Sequence, residues 1–80
     1  MNEETKEHAA FLKQQLEWSR EQALLLEAIE RKLIEMRELA EASLDSGLSQ
    51  LERESLNEQF QQLQGEVIEL QRKAAPETLH

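Results

Sequence analysis

One short stretch of the chain suits a turn, the segment Ser43-Leu44-Asp45-Ser46-Gly47-Leu48-Ser49, and helix-favouring sequence lies on both sides of it. With only two glycines and one proline among 80 residues, few other positions suit a change of chain direction. Glu, Leu, Gln, Ala, Lys and Arg are frequent in the rest of the chain and favour helix. We therefore predict an all-α fold with a turn near residues 44–49, formed by Asp45, Ser46, Gly47 and Ser49.

The ends of the two predicted helices carry capping residues. Asn2 is placed to cap the first helix, and Gly47 can adopt the left-handed conformation that closes a helix or a tight loop. Ser49 and Glu52 fit the Ser-x-x-Glu capping box, so a second helix is expected to begin there. Pro76 disfavours helical conformation at the residue before it and is expected to end that helix.

Apolar positions on the two sides of the turn form a mirror pair. Residue numbers 33 and 60, 26 and 67, and 23 and 70 total 93, while 36 with 56 and 29 with 63 total 92. A constant total is what an antiparallel, coiled-coil-like hairpin requires, because one helix rises as the other descends. The predicted hairpin core consists of Ala23, Leu26, Ile29, Leu33, Met36, Ala40, Leu56, Phe60, Leu63, Val67 and Leu70.

The chain divides into three predicted parts. Residues 23–75 form the hairpin, residues 1–22 extend the long first helix as an overhang, and residues 76–80 form a frayed tail. The overhang has sparser apolar residues than the hairpin, and they stand among charged and amide side chains.

A second apolar line indicates association. Phe11, Trp18 and Leu25 recur every seven residues, and Ile68 is expected opposite Leu25 because their numbers total 93. Two facing helices cannot bury both lines, so we predict a homodimeric four-helix bundle. The predicted interface with a second copy or another protein comprises Phe11, Leu12, Leu16, Trp18, Leu25 and Ile68. In the alternative arrangement, Phe11 and Trp18 fold over the hairpin's own end.

Charge and composition exclude several classes of function. Seventeen acidic against nine basic side chains give a formal charge of −8, which disfavours nucleic acid as a partner. No apolar run approaches the roughly 20 residues of a membrane span. The first residues are acidic, unlike a secretory signal, so we expect a cytoplasmic protein.

Candidate chemical sites are few. His8 follows Glu4 by four residues, a spacing that suits two metal ligands on a helix, but no third ligand accompanies them. The glutamates between residues 27 and 41 match a solvated helix face, and no serine stands in a motif that activates a nucleophile. We therefore predict no catalytic, metal or cofactor site and no enzymatic activity.

The segment from Ala23 to Leu70 resembles the N-terminal conserved helical region of bacterial flagellins. The resemblance lies in the word Met36-Arg37-Glu38-Leu39-Ala40 at the end of a helix, a polar turn, and a second helix with apolar residues at Leu56, Phe60, Leu63, Val67 and Leu70. It implies a hairpin that packs against other helices, and export by a flagellar-type route. It does not extend to the family's tube-forming N-terminal segment or its C-terminal half.

Three hypotheses of function follow. The first is a non-enzymatic helical hairpin that self-associates or binds a partner helix and is related to flagellin. The second is a small cytoplasmic regulator that inserts its overhang into a groove of a partner protein. The third is a metal-dependent enzyme whose carboxylates meet only in an oligomer.

Overall fold

The structure, a computed structural model, describes residues 2–74 as two antiparallel helices packed against each other. Helix α1 spans Glu3–Ala42 and helix α2 spans Gln50–Lys73. The predicted all-α helical hairpin is therefore confirmed. The molecule is elongated, with extents of 71 × 19 × 17 Å, because α1 runs unbroken for 40 residues. Pro76 and the predicted frayed tail at 76–80 lie outside the described residues.

The cap predicted at the start of α1 is confirmed. The Asn2 side chain accepts a hydrogen bond of 2.8 Å from the backbone N–H of Thr5, which satisfies one of the free donors of the first turn. Glu3 and Glu4 add negative charge at the positive end of the helix dipole. At the other end, the Ser43 hydroxyl donates to the carbonyl of Ala40 at 2.6 Å.

The capping box at the start of α2 is also confirmed. The Glu52 N–H donates to the Ser49 hydroxyl at 3.1 Å, and the Ser49 N–H donates to the Glu52 carboxylate at 3.2 Å. The hydrogen bond from the Ser49 N–H, assisted by the Ser49 hydroxyl, lowers the pKa of Glu52. Two backbone N–H groups at the start of α2, those of Ser49 and Glu52, thus gain a partner.

Gly47 lies in the loop without using the left-handed conformation that a glycine can adopt. Among the described residues no glycine has a positive φ. The loop is closed instead by the Asp45 carboxylate, which accepts the Gly47 N–H at 2.8 Å as in an Asx turn.

Arg53 connects the loop to the second helix. Its guanidinium donates to the carbonyl of Ser43 at 3.1 Å and to that of Asp45 at 3.2 Å. One side chain of α2 therefore holds the end of α1 and the loop together.

The hairpin has a small interior, in which only Ile29 and Val67 are buried among the described residues, at 8% and 6% exposure. Around them lie half-buried residues spaced three and four apart, as on the facing sides of two coiled helices. We call this set the inner seam. It comprises Gln22, Leu25, Ile29, Lys32, Met36 and Leu39 of α1 with the C-cap residue Ser43, and Leu56, Phe60, Leu63, Val67 and Leu70 of α2 with the C-cap residue Ala74.

The predicted core face is therefore right for α2 and partly wrong for α1. Ile29 and Met36 lie on the inner seam, but Ala23, Leu26, Leu33 and Ala40 are exposed. Leu26 is 60% exposed and Leu33 is 48% exposed. The stripe chosen from the sequence lies beside the true one, which contains Lys32 at its centre.

The register of the two helices also differs from the prediction. The Lys32 ammonium lies 2.8 Å from the Glu66 carboxylate, and these residue numbers total 98 rather than 92 or 93. Leu25 and Lys73, with the same total, line one hollow at the far end. Leu33 is consequently not opposite Phe60, which lines a hollow with Leu39.

Candidate interaction surface

Nothing within the described residues covers the first half of α1. Residues 2–21 are all exposed, since α2 ends at Lys73, which lines a hollow with Leu25 and Glu21. We use the name overhang for this uncovered part of α1. Four of its large apolar side chains remain open to solvent, at 55%, 52%, 51% and 39% exposure for Phe11, Leu12, Leu16 and Trp18.

Phe11 and Trp18 continue the inner seam beyond the end of α2. They precede Leu25 by fourteen and seven residues, and Leu25, Lys32 and Leu39 follow at the same interval. Residues seven apart lie on one face of a coiled helix. The side of α1 that α2 covers therefore extends uncovered into the overhang.

Two of the predicted interface residues are placed differently by this arrangement. Leu25 is half-buried on the inner seam and is not part of a separate outer line. Ile68 is 43% exposed, but the register places Lys73 and not Ile68 near Leu25. The predicted interface set thus divides into the uncovered Phe11, Leu12, Leu16 and Trp18, the inner Leu25, and the isolated Ile68.

A second set of exposed residues runs along α1 with the same spacing as the inner seam. We call it the outer strip, and every member is exposed. It comprises Ala9, Leu12, Leu16, Ser19, Ala23, Leu26, Glu30, Leu33, Arg37 and Ala40. The sequence pattern predicted two of these residues as interface, Leu12 and Leu16, and four as core, Ala23, Leu26, Leu33 and Ala40, because two stripes with identical spacing adjoin on one helix.

The inner seam contains one ion pair between the helices. The Lys32 ammonium donates a hydrogen bond to the Glu66 carboxylate, and the Gln62 amide donates a second one. These two hydrogen bonds, the one from Lys32 first, lower the pKa of Glu66. The Lys32 side chain is 31% exposed, so its methylene stem lies against the seam while its charge reaches solvent. Sequence reasoning missed this residue because a lysine does not signal a core position.

The polar side chains considered as chemical sites are arranged as structural groups. Ser43 and Ser49 cap the helices, and Ser55 accepts hydrogen bonds from Gln59. His8 is exposed on the overhang. Within residues 2–74, no three His, Asp or Glu side chains are grouped so as to hold a metal ion.

Neither helix in the described part of the chain has an apolar stretch long enough to cross a bilayer. Comparisons of the chain with protein-family models, with curated proteins and with solved structures gave no significant match.

Proposed function

We propose that the chain is a non-enzymatic protein that acts by association with other helices. The observation that carries this proposal is the extension of the inner seam into an overhang whose Phe11 and Trp18 have no covering helix in residues 2–74. Aromatic side chains supply much of the energy of protein interfaces when they become buried. An uncovered seam that presents two of them is a binding surface.

The exposed area supports association as well. The chain exposes 6737 Å², whereas a compact monomer of 9.3 kDa exposes roughly 5,000 Å². Its radius of gyration is 20.1 Å, against about 12 Å for a compact domain of this length. A two-helix hairpin with two buried residues gains additional burial by packing against further helices.

The simplest assembly is a homodimer in which two hairpins form a four-helix bundle. A second copy is present wherever the chain is made, and its surface carries the same exposed apolar residues. Symmetric dimers are the commonest assemblies of soluble chains. The proposal places this assembly in the cytoplasm and gives it no nucleic acid, metal or cofactor.

A relationship to flagellin remains part of the proposal. It rests on the word Met36-Arg37-Glu38-Leu39-Ala40 directly before the turn and on the apolar spacing of α2. Under this proposal the hairpin supplies a packing module of flagellin type, and a flagellar-type export route replaces the cytoplasmic location. Capture of flagellar components by the native protein would support the relationship, and a full set of unrelated partners would count against it.

The second candidate function is that of a regulator whose overhang binds in a groove of another protein. The observation that favours it is the exposure of Phe11, Leu12, Leu16 and Trp18 within eight residues of an uncovered helix. Amphipathic helices that bind grooves present anchors at such spacing. Under this alternative the purified chain is a monomer, and Trp18→Ala abolishes binding to the captured partner.

The test is sedimentation equilibrium of the full chain over a range of concentrations, with Trp18→Ala as the variant. We expect a dimer whose dissociation constant rises at least tenfold in Trp18→Ala, because loss of a central tryptophan costs more than about 1.4 kcal/mol. Leu51→Ala is the matched control, since Leu51 is 77% exposed and lies on α2 away from the overhang. A wild-type chain that stays monomeric would refute self-association, and an unchanged dimer in Trp18→Ala would remove the overhang from the interface.

A further inference from the structure

One edge of the outer strip carries charges that change sign along α1. This edge consists of the residues that directly follow Leu12, Ser19, Leu26, Leu33 and Ala40 of the strip. Lys6 extends it towards the N-terminus, because it lies seven residues before Lys13. In the first half of α1 they are basic, namely Lys6, Lys13 and Arg20. In the second half they are Glu27, Ile34 and Glu41. All of them are exposed, and Glu41 also accepts a hydrogen bond of 2.9 Å from Arg37.

The opposite edge of the strip carries no formal charge that would oppose this order. In the overhang it consists of His8 and Gln15, and further on it coincides with Gln22, Ile29 and Met36 of the inner seam. Besides Glu30 and Arg37, which are members of the strip, only the charged edge therefore distinguishes the two orientations of a helix bound along the strip.

We propose that α1 pairs antiparallel with α1 of a second copy along the outer strip. This inference rests on the proposed self-association and adds to it a contact surface beside the inner seam, a partner and a direction. In antiparallel pairing Arg20 faces Glu27 of the second copy and Lys6 faces Glu41, and each pair occurs twice by symmetry. The residue numbers of each pair total 47, so a single alignment of the two helices forms both pairs in both copies, which makes four contacts. Parallel pairing would instead bring the basic halves together and the acidic halves together.

The same register brings most apolar residues of the strip together, although Leu12 meets Arg37 and Ser19 meets Glu30. With numbers totalling 49, Leu16 meets Leu33, Ala23 meets Leu26, and Ala9 meets Ala40 of the second copy. Each overhang then lies along the hairpin part of its partner, so both halves of the strip are covered. A strip about 47 Å long and about 10 Å wide on each copy buries roughly 1,000 Å² in total, the lower limit for a specific interface.

A charge exchange tests the direction. Arg20→Glu and Glu27→Arg should each raise the dimer dissociation constant about three- to tenfold, because each replaces two attractive pairs by repulsive ones. The double variant should return it to within about twofold of wild type. Residues seven apart on one helix lie about 10 Å from each other, so a direct pair within one chain does not account for the rescue.

Arg31→Glu and Glu38→Arg provide the matched control. These exposed residues have the same charges and the same spacing of seven on α1, but they lie outside the strip and its edges. Their single and double variants should leave the dissociation constant within about twofold of wild type. Rescue in the control pair, or its failure in the Arg20 and Glu27 pair, would overturn the proposal.

A distance measurement separates this inference from the proposed function. A nitroxide label at Glu7→Cys, outside the strip and its edges, should give a distance between copies of about 50 Å in the antiparallel dimer. A parallel dimer would give less than about 20 Å, which would overturn the antiparallel arrangement while leaving association intact. If the labelled and the unlabelled chain are both monomeric in sedimentation, self-association and this inference are overturned together.

Discussion

The placement of Ile29 in the interior and Ile34 at the surface predicts a large difference between two identical substitutions. Ile29 is 8% exposed and lies on the inner seam, whereas Ile34 is 50% exposed on the same helix. Ile29→Ala should therefore destabilise the hairpin much more than Ile34→Ala. The two variants share the lost atoms, the gained alanine and the helix, so their difference reports the packing of each site.

The expected magnitude follows from the burial. Isoleucine has three carbons more than alanine, and each buried carbon contributes about 0.8 kcal/mol. At a site that is 8% exposed the loss is about 2 kcal/mol, and any unfilled cavity adds to it. The higher helix propensity of alanine offsets at most about 0.5 kcal/mol at both sites. We expect about 2 kcal/mol for Ile29→Ala and less than about 1 kcal/mol for Ile34→Ala.

The assay is urea unfolding followed by far-UV circular dichroism at one chain concentration low enough to keep both variants monomeric, because association adds concentration-dependent stability and Ile34 borders the proposed dimer contact. Thermal unfolding should give the same order, with a Tm lower by about 10 °C for Ile29→Ala. Equal destabilisation by the two substitutions would refute the inner seam as the packed face of α1.

Three further predictions concern the loop and the ion pair. Ser49→Ala should lower the free energy of unfolding by about 1 kcal/mol in urea, because the capping box is lost, and an unchanged value would contradict the cap. The free energy of unfolding of Gly47→Ala should stay within about 0.5 kcal/mol of wild type in the same assay, because φ of Gly47 is not positive and the added Cβ meets only the Asp45 carboxylate, at 3.3 Å. A larger loss would indicate a left-handed glycine. The hydrogen bond from Lys32 lowers the pKa of the Glu66 carboxyl group below 4.5. The ion pair therefore stabilises the folded state fully above pH 4.5, and this stabilisation is lost as the pH falls through the lower pKa of the folded state. The Tm should therefore decline less between neutral and acidic pH in Lys32→Met than in wild type, and parallel declines would contradict the pairing.

Much of the hairpin could be predicted because its signals are local. The cap residues Asn2 and Ser49 bond to backbone groups three positions away, so their spacing alone specifies them. The apolar face of α2 was also predictable, since that helix carries a single stripe from Leu56 to Leu70. Local chemistry and one unambiguous stripe were sufficient in these places.

The inner face of α1 could not be predicted for a physical reason. The exposed stripe through Leu26 and Leu33 has the same spacing as the inner seam and contains no charge at the positions chosen from the sequence, whereas the true face contains Lys32. The choice between them depends on the pairing of Lys32 with Glu66, thirty-four residues away. The line through Phe11, Trp18 and Leu25 was visible in the sequence, but that it continues the inner seam became clear only once that face was known.

The hydrogen bonds from Arg53 have a consequence for how the two helices depend on each other. The last turn of α1 contains no basic residue of its own, so the negative end of its dipole has no local counter-charge. The guanidinium of Arg53 supplies that charge from the first turn of α2 and reaches the carbonyls of Ser43 and Asp45. Each helix excised as a separate peptide would lose this compensation, and α1 would fray at its carboxyl end. Formation of the second helix thus helps to complete the first, which couples the coil-to-helix transitions of the two helices.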